Sequence, residues 1–299
     1  MVVVFGSINL DLVARVPHFP QPGETLAAHS FATYSGGKGG NQALAAARAG
    51  ASVTLVGAVG RDEFAETALA ELHTGNVDLS QVRTVDGPTG LAIITVTDVG
   101  ENAIVVAVGA NAHVDADDVL ADWLQPSTVL VLQQEVPGTA NAQLAARASK
   151  SGARIVLNAA PAREVDADLL DLLDVIVVNE TEMRALATDH RLPDEPAAFA
   201  AVISQRHGLV AVVTLGAAGV LAADNGAIHT LPAPPVTVVD STGAGDAFVG
   251  ALAAALERDC PLTTALTWAV AAGSLACTRH GAQPSLPTAA EVDALLPPS

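Results

Sequence analysis

The sequence predicts an α/β fold, with a mainly parallel central sheet between helical layers and a small β-sheet lid. Three observations point there. Past residue 129, short apolar runs alternate with Ala-rich stretches at the spacing of strand–helix–strand crossovers. Two separated strand-rich patches, about 11–34 and 89–107, stand outside that alternation and together form the expected lid. Half of the 299 residues are apolar and only 15% are charged, enough for a large core in a single domain spanning 1–299.

The elements follow in order. Val2–Phe5 reads as a buried strand ending at Gly6. Leu12–Val16 and Thr25–Phe31 read as short antiparallel strands, separated by Pro17, Pro20, Pro22 and Gly23. Asn41–Ala49 reads as a helix, Val53–Val56 as a strand, and Asp62 to about His73 as a helix. Leu91–Thr97 and Asn102–Val106 pair across the turn Asp98-Val99-Gly100-Glu101. Strands Val129–Leu132, Arg154–Leu157, Val175–Val178 and Val210–Thr214 then alternate with helices near Ala140–Lys150, Ala167–Leu172 and Ala197–Arg206. Gly219–Ala223 and Ala227–Leu231 make a hairpin around Asp224-Asn225-Gly226. Two long apolar helices, about Ala244–Leu256 and Leu262–Thr278, precede a short terminal one.

Composition narrows the partners. Lys and Arg number 14 against 32 Asp and Glu, a net charge of −18 that repels nucleic acid backbones and anionic lipid. No window approaches the roughly 18 apolar residues of a membrane span, and the N-terminal stretch lacks a basic signal region. Neither nucleic acid nor membrane is therefore an expected partner, and a cytoplasmic location is expected. Cys260 and Cys277 have neither zinc nor redox spacing and read as small buried residues within helices. The eight histidines show no metal pattern and read as surface or turn residues.

The chemistry-bearing segments sit where strands end and helices begin. In Asp240-Ser241-Thr242-Gly243-Ala244-Gly245-Asp246, two glycines allow a tight turn, and the unpaired amides of the following helix make an anion pocket suited to a phosphoryl group. Asp246 either accepts a hydroxyl proton there or only caps the helix, and the segment alone fits both. The helix dipole is expected to favour its ionised form. In Ser35-Gly36-Gly37-Lys38-Gly39-Gly40-Asn41, four glycines around one of only two lysines either expose amides to a ligand or form a flexible turn. This is no Walker A loop, since Gly39 follows Lys38, and no dinucleotide fingerprint either. In Gly6-Ser7-Ile8-Asn9-Leu10-Asp11, Asn9 and Asp11 suit vicinal hydroxyls, or bond the local backbone as in any turn. Asn179-Glu180-Thr181-Glu182 and Thr214-Leu215-Gly216-Ala217-Ala218-Gly219 follow two further strands, the second offering room for a nucleotide. Metal binding by Glu182 does not follow from spacing, since acids stabilise a helix N-terminus anyway.

Taken in this order and spacing, these segments, with the run Gly36–Gln42, resemble the ribokinase branch of the PfkB-type carbohydrate kinases. The resemblance runs from about Val4 to Leu296 and takes in Gly109-Ala110-Asn111-Ala112 and Gly281-Ala282-Gln283-Pro284-Ser285. It implies a three-layer αβα domain with a β lid, and ATP-dependent phosphorylation of a sugar, D-ribose first, giving the 5-phosphate and ADP. It implies Asp246 as general base and Gly243, Ala244 and Gly245 as anion hole. Asn9, Asp11, Gly37, Lys38, Asn41 and Glu135 would hold the sugar together with Asp246. Asn179, Thr214, Leu215, Gly216, Ala217, Ala218, Gly219 and Gly245 would hold ATP. Glu182 would hold Mg2+ through water, and Asp240, Thr242, Ala276, Arg279, Gly281 and Ser285 would form a site for an activating K+. A homodimer through the lid is also implied. The chain departs from the common pattern at Asn158-Ala159-Ala160-Pro161, where Asn-Pro-Ala-Pro is frequent, and at His280, where Lys is frequent. The rival acceptors are 2-deoxyribose, another sugar or a nucleoside. A catalytically silent sugar-binding regulator conflicts with the presence of Asp246, Gly243, Gly245 and Lys38, and an NAD-dependent dehydrogenase lacks its glycine fingerprint.

Overall fold

The first apolar run folds as β1 (Val2–Phe5), and its side chains divide between two cores: Val2 and Val4 join one, Val3 and Phe5 the other. That division reports a strand covered on both faces. A computed structural model describes residues 1–296, so residues 297–299 of the expected domain lie outside the described residues. The remaining strands are β2 (Asn9–Val16), β3 (Ser30–Gly36), β4 (Val53–Gly60), β5 (Asp78–Val85), β6 (Gly90–Thr97), β7 (Asn102–Ala107), β8 (Val129–Leu132), β9 (Arg154–Asn158), β10 (Val175–Asn179), β11 (Val210–Thr214), β12 (Val220–Asp224) and β13 (Ala227–Leu231). The helices are α1 (Lys38–Arg48), α2 (Phe64–Thr74), α3 (Gly138–Ser151), α4 (Ala167–Leu170), α5 (Glu180–His190), α6 (Pro196–His207), α7 (Ala244–Glu257), α8 (Leu262–Ala276) and α9 (Ala289–Leu295).

Nine strands form one sheet in the order β13-β12-β11-β10-β9-β8-β1-β4-β5, parallel except for the β11-β12-β13 meander. Helices α1, α7 and α8 cover the face bearing Val2 and Val4, while α3, α5 and α6 cover the other. After β1 the chain builds β4 and β5 on one side, then β8 to β11 on the other. The crevice at the carboxyl ends of β1 and β8 is thus the topological switch point, where ligands of parallel sheets bind. The second sheet, β3-β2-β6-β7, joins the two expected patches through parallel pairing of β2 with β6.

Several boundaries differ from the sequence reading. The strand expected at Thr25–Phe31 lies instead at Ser30–Gly36, where its residues pair with β2. The edge strand β5 was not expected: its residues are polar and half-exposed, so it lacks an apolar run. Helix α1 begins at Lys38, three residues before the expected start, so the glycine cluster is its first turn. Cys260 and Cys277 are half-buried and lie just beyond α7 and α8, not within them. The His207 side chain is only 6% exposed, against the expected surface role, and its Nδ1 meets Asp171 at 2.6 Å.

The Ala-rich helices α1 and α7 cross closely at Gly250. A Cβ built there would lie 2.4 Å from Ala45 Cβ and 2.7 Å from both Ala46 N and Gln42 O. Two of those neighbours are backbone atoms that cannot swing aside. Gly250→Ala should therefore lower stability by about 1–3 kcal/mol through overpacking, read as a reduced denaturation midpoint. An unchanged midpoint would mean that the two helices separate freely.

Candidate active site

The switch-point crevice is laced by hydrogen bonds from the end of β1 to the end of β8. Ser7 Oγ donates to Glu135 Oε2 at 2.6 Å, and the Lys38 amide donates to the same oxygen at 3.0 Å. The Gly39 amide donates to Ser7 Oγ at 3.2 Å and the Gly40 amide to the Ser7 carbonyl at 2.9 Å. The glycine cluster therefore neither presents these amides to a ligand nor forms a flexible turn. Its glycines serve close packing: a Cβ on Gly39 would lie 2.5 Å from Gly6 C and Ser7 N. Gly37, the N-cap of α1, has φ of 83° and backs onto the Asn9 amide, 2.7 Å from where a Cβ would stand.

Packing α1 this tightly on β1 delivers its first two amide side chains to Asp246. Asn41 Nδ2 donates to Asp246 Oδ2 at 2.9 Å and Gln42 Nε2 to Oδ1 at 2.9 Å. Asp246 is 6% exposed, in the first turn of α7. Burial pushes its carboxyl above the usual range, outweighing Lys38 and the hydrogen bonds from Asn41 and Gln42, which pull it down. The expectation was that its ionised form would be favoured; the carboxyl is instead raised, with desolvation the largest cause. Lys38 is pulled down by its own burial, but Asp246, Glu135 and Glu182 together raise it above the ordinary value, so it stays an ammonium.

Around the start of α7 the backbone turns through Gly243, at φ of 78°, with the Ala282 backbone 3.0 Å from where a Cβ would stand. The Ala244 amide donates to the Ser241 carbonyl at 3.2 Å, whereas the amides of Gly243, Gly245 and Asp246 meet no acceptor among the described residues. Gly245 is exposed, and a Cβ on it would meet no atom within 4 Å, so the turn opens to solvent there. Free amides at a helix N-terminus facing open space are an anion site.

On β2, Asn9 is buried and its Oδ1 accepts from Asn111 Nδ2 at 2.7 Å. Gly90 leaves the room for that pair: a Cβ there would stand 2.2 Å from Asn111 Nδ2. Asp11 lies over Gly36 and is pushed up to about 7 by burial, then by Glu135 and Asp246. A cavity of about 390 Å³ opens between the small sheet and segments 238–242 and 280–282, with Asp11, Tyr34, Asp240 and Thr242 in its lining.

Asn179 and Thr214 are register partners at the ends of β10 and β11. Asn179 and Glu182 form a capping box on α5, Glu182 Oε2 accepting the Asn179 amide at 2.8 Å. Burial raises the Glu182 carboxyl, more than that amide and Lys38 lower it. Leu215 to Gly219 wrap the end of β11 as a short 3₁₀ turn, with Gly216, Ala217 and Ala218 exposed. Asp240 accepts from the Thr242 amide and hydroxyl at 2.9 and 2.6 Å and from the Gly281 amide at 3.0 Å. Partial burial pushes its carboxyl up, but these bonds and nearby His280 hold it below the usual range. Ala276 ends α8, and Ser285 is buried with its hydroxyl on the Ala282 carbonyl. The Arg279 guanidinium pairs with Glu291. Among the described residues no three His, Cys, Asp or Glu side chains converge as a metal cluster, and no helix is long and apolar enough to cross a membrane.

Every residue expected to touch sugar or phosphate thus lies at the carboxyl ends of β1, β8, β10 and β11 or on the segments facing them. Ser7, Gln42 and Asn111 stand inside the segments that carry the chemistry, yet nothing in the sequence marks them as functional. Their task is to orient neighbours across long sequence separations, and a local pattern holds no sign of that.

Residues 1–289 match the family model for pfkB family carbohydrate kinases. The chain is 38% identical over 293 residues to the ribokinase of Haemophilus influenzae, covering 96% of this chain and 95% of that one. It is 37% identical over 299 residues to the ribokinase of Lactococcus lactis, covering 99% and 96%. Among solved structures it superposes on the ribokinase of Thermotoga maritima with a TM-score of 0.91 at 32% identity, covering 98% of each chain. The ribokinase of Arabidopsis thaliana, solved with ribose and ATP, gives 0.90 at 31% identity, covering 100% of this chain and 99% of that one.

The raised Asp11 carboxyl sets a stability dependence on pH. The unfolded group titrates near 3.8 and the folded one near 7, so between those values the native state binds the extra proton and stability falls as pH rises. Asp11→Asn should therefore gain stability relative to the parent chain as pH increases from about 4 to 7, by a few kcal/mol at most. Melting curves of the two chains that stay parallel across this window would contradict the assignment.

Proposed function

The chain belongs to the pfkB family of carbohydrate kinases, and from that premise we propose that it transfers the γ-phosphoryl group of ATP to D-ribose, giving D-ribose 5-phosphate and ADP. The observation that carries the proposal is Asp246. Its carboxylate is held by Asn41 and Gln42, follows the free Gly245 amide, and lies within electrostatic reach of Asp11, Lys38 and Glu135. The ribokinases similar to it over nearly its whole length support ribose as the acceptor.

In this reading Asp246 takes the proton of the attacking hydroxyl as the oxygen meets the terminal phosphate. Its raised affinity for protons makes it a better base than an exposed aspartate. The Gly243 and Gly245 amides receive the charge that develops on the transferred group. The Ala244 amide, engaged with Ser241, takes no part in this form of the chain. Asn9, Asp11, Gly37, Lys38, Asn41 and Glu135 surround the sugar, and Asn179 with Thr214 to Gly219 flank the nucleotide. Glu182 has one carboxylate oxygen on the Asn179 amide and the other available, which suits Mg2+ held through water. That ion would neutralise phosphate charge. Asp240, held below the usual carboxylate range by the Thr242 and Gly281 amides, supplies an ionised carboxylate of the hard oxygen type that K+ takes. The whole chain would act as one cytoplasmic kinase domain, with segments 11–34 and 89–107 closing as a lid to exclude water.

A panel of pentoses, hexoses and nucleosides with ATP and Mg2+, with and without K+, tests the acceptor. D-ribose should be the preferred one, and a strong preference for fructose or a nucleoside would overturn that choice while leaving sugar phosphorylation intact. Asp246→Asn should lower kcat by roughly 10²-fold or more with little change in sugar KM. Near-parental turnover in that variant would remove Asp246 from the mechanism.

The small sheet also supports a homodimer. Phe31, Ile93 and Val105, on its face away from the cavity, are 64%, 49% and 66% exposed, an apolar grouping that a monomer rarely leaves bare. The chain should sediment at twice its mass, and Val105→Glu should shift it toward the single chain. A parent chain that sediments at its own mass would remove the dimer.

A further inference from the structure

The hydrogen bonds on Asp246 continue into the fold beyond any residue that reaches a ligand. Gln42 Nε2 donates to Asp246 Oδ1 at 2.9 Å and also to Asn158 Oδ1 at 3.0 Å. Asn158 Nδ2 in turn donates to the Val177 carbonyl of β10 at 3.2 Å. Gln42 is 0% exposed and Asn158 7%, so both sit beneath the site rather than in it.

The direction of this chain is fixed at its far end. A backbone carbonyl can only accept a hydrogen bond, so the Val177 oxygen turns the Asn158 NH2 toward itself. That leaves Asn158 Oδ1 facing Gln42, which brings the Gln42 NH2 inward. Its two hydrogens are then divided, one to Asn158 and one to Asp246. The reverse arrangement would put Gln42 Oε1 against the Asp246 carboxylate, acceptor against acceptor.

We propose that Asn158 and Gln42 are positioning residues for phosphoryl transfer: anchored on the β10 backbone, they set the rotation of the Asp246 carboxylate and keep it an acceptor. A carboxylate has about four acceptor positions. Gln42 and Asn41 occupy one on each oxygen, and the remainder are left for the sugar hydroxyl. The inference rests on the reading of Asp246 as the base. The other charged groups acting on Asp246 are Lys38 on α1, Glu135 after β8, Asp11 on β2 and Glu182 on α5, and none of these bonds to Gln42 or Asn158.

A purely structural role for the two amides would lower stability and leave the chemistry of each folded molecule unchanged. Two variants of the full chain separate the cases. Gln42→Met removes the donor itself, while Asn158→Leu leaves Gln42 in place but frees its amide to turn. With ATP, Mg2+ and ribose, each should lower kcat on the order of 10-fold or more, the scale of a buried hydrogen bond to a charged group. Sugar KM should stay within about threefold. Loss of a donor to the ionised form raises the proton affinity of Asp246, so the acid limb of the kcat profile should move to higher pH. The double variant should be little worse than Gln42→Met alone, since both act through one bond. The pH of the limb is read on active molecules only, so poor folding of either variant does not hide it. Variants with the parental limb and parental kcat per active molecule would overturn the inference, even if less stable. A parent chain that phosphorylates no sugar would instead overturn the proposed function, so the two failures are told apart.

Discussion

A carboxylate taken out of water stays an anion only if donors and positive charge replace its hydration. Asp246 is that group here, and much of the fold can be read as the means of satisfying it. Each of its oxygens has one side-chain amide, from consecutive residues of α1, and Lys38 supplies the nearby positive charge. Consecutive residues on a helix point about 100° apart, so they reach one carboxylate only when that helix lies almost against it. The crossing of α1 and α7 at Gly250, with Ala45 and Ala46 opposite, provides the approach. The abutment of Gly39 on Gly6 and Ser7 fixes where α1 starts. Small residues in these segments thus permit the approach by which two adjacent amides reach one buried carboxyl.

This constraint explains which parts of the molecule the sequence displayed. The buried strands of the large sheet were legible because each is a short apolar run with helices on both sides, as at Val129–Leu132 and Val175–Asn179. The position of Asp246 was legible as well, since a helix opening with free amides leaves a local mark. The glycine cluster was misread, because glycine serves a loop and a close helix contact equally well, and only the position of Ser7 distinguishes them. β5 escaped notice because an edge strand covered on one side carries few apolar residues. The proton affinity of Asp246 was misjudged for a related reason. A helix N-terminus is visible from sequence, but the depth at which the fold buries Asp246, the largest cause of its raised carboxyl, is not.

The same accounting of charge bears on how a phosphate can enter at all. Asp246 shares its surroundings with Asp11, Glu135 and Glu182, and Lys38 is the ammonium among them, so the side chains alone make a negative site. The Asp11 carboxyl, pushed up to about 7 chiefly by burial, is raised further by Glu135 and Asp246. A neutral hydroxyl compound adds no charge and finds many acceptors. A bare triphosphate meets repulsion everywhere except at Lys38 and the free amides opening α7. Under the proposed transfer, the nucleotide therefore depends on a cation that travels with it and on backbone dipoles, neither of which alters the net charge of the protein. Backbone amides suit this role better than further lysines would. A second ammonium beside Asp246 would hold it ionised so firmly that it could no longer accept a proton from an alcohol. The shortage of basic residues in the chain, 14 against 32 acids, is thus compatible with binding a polyanion, because the binding charge is carried by the fold and by the ligand's own counter-ion.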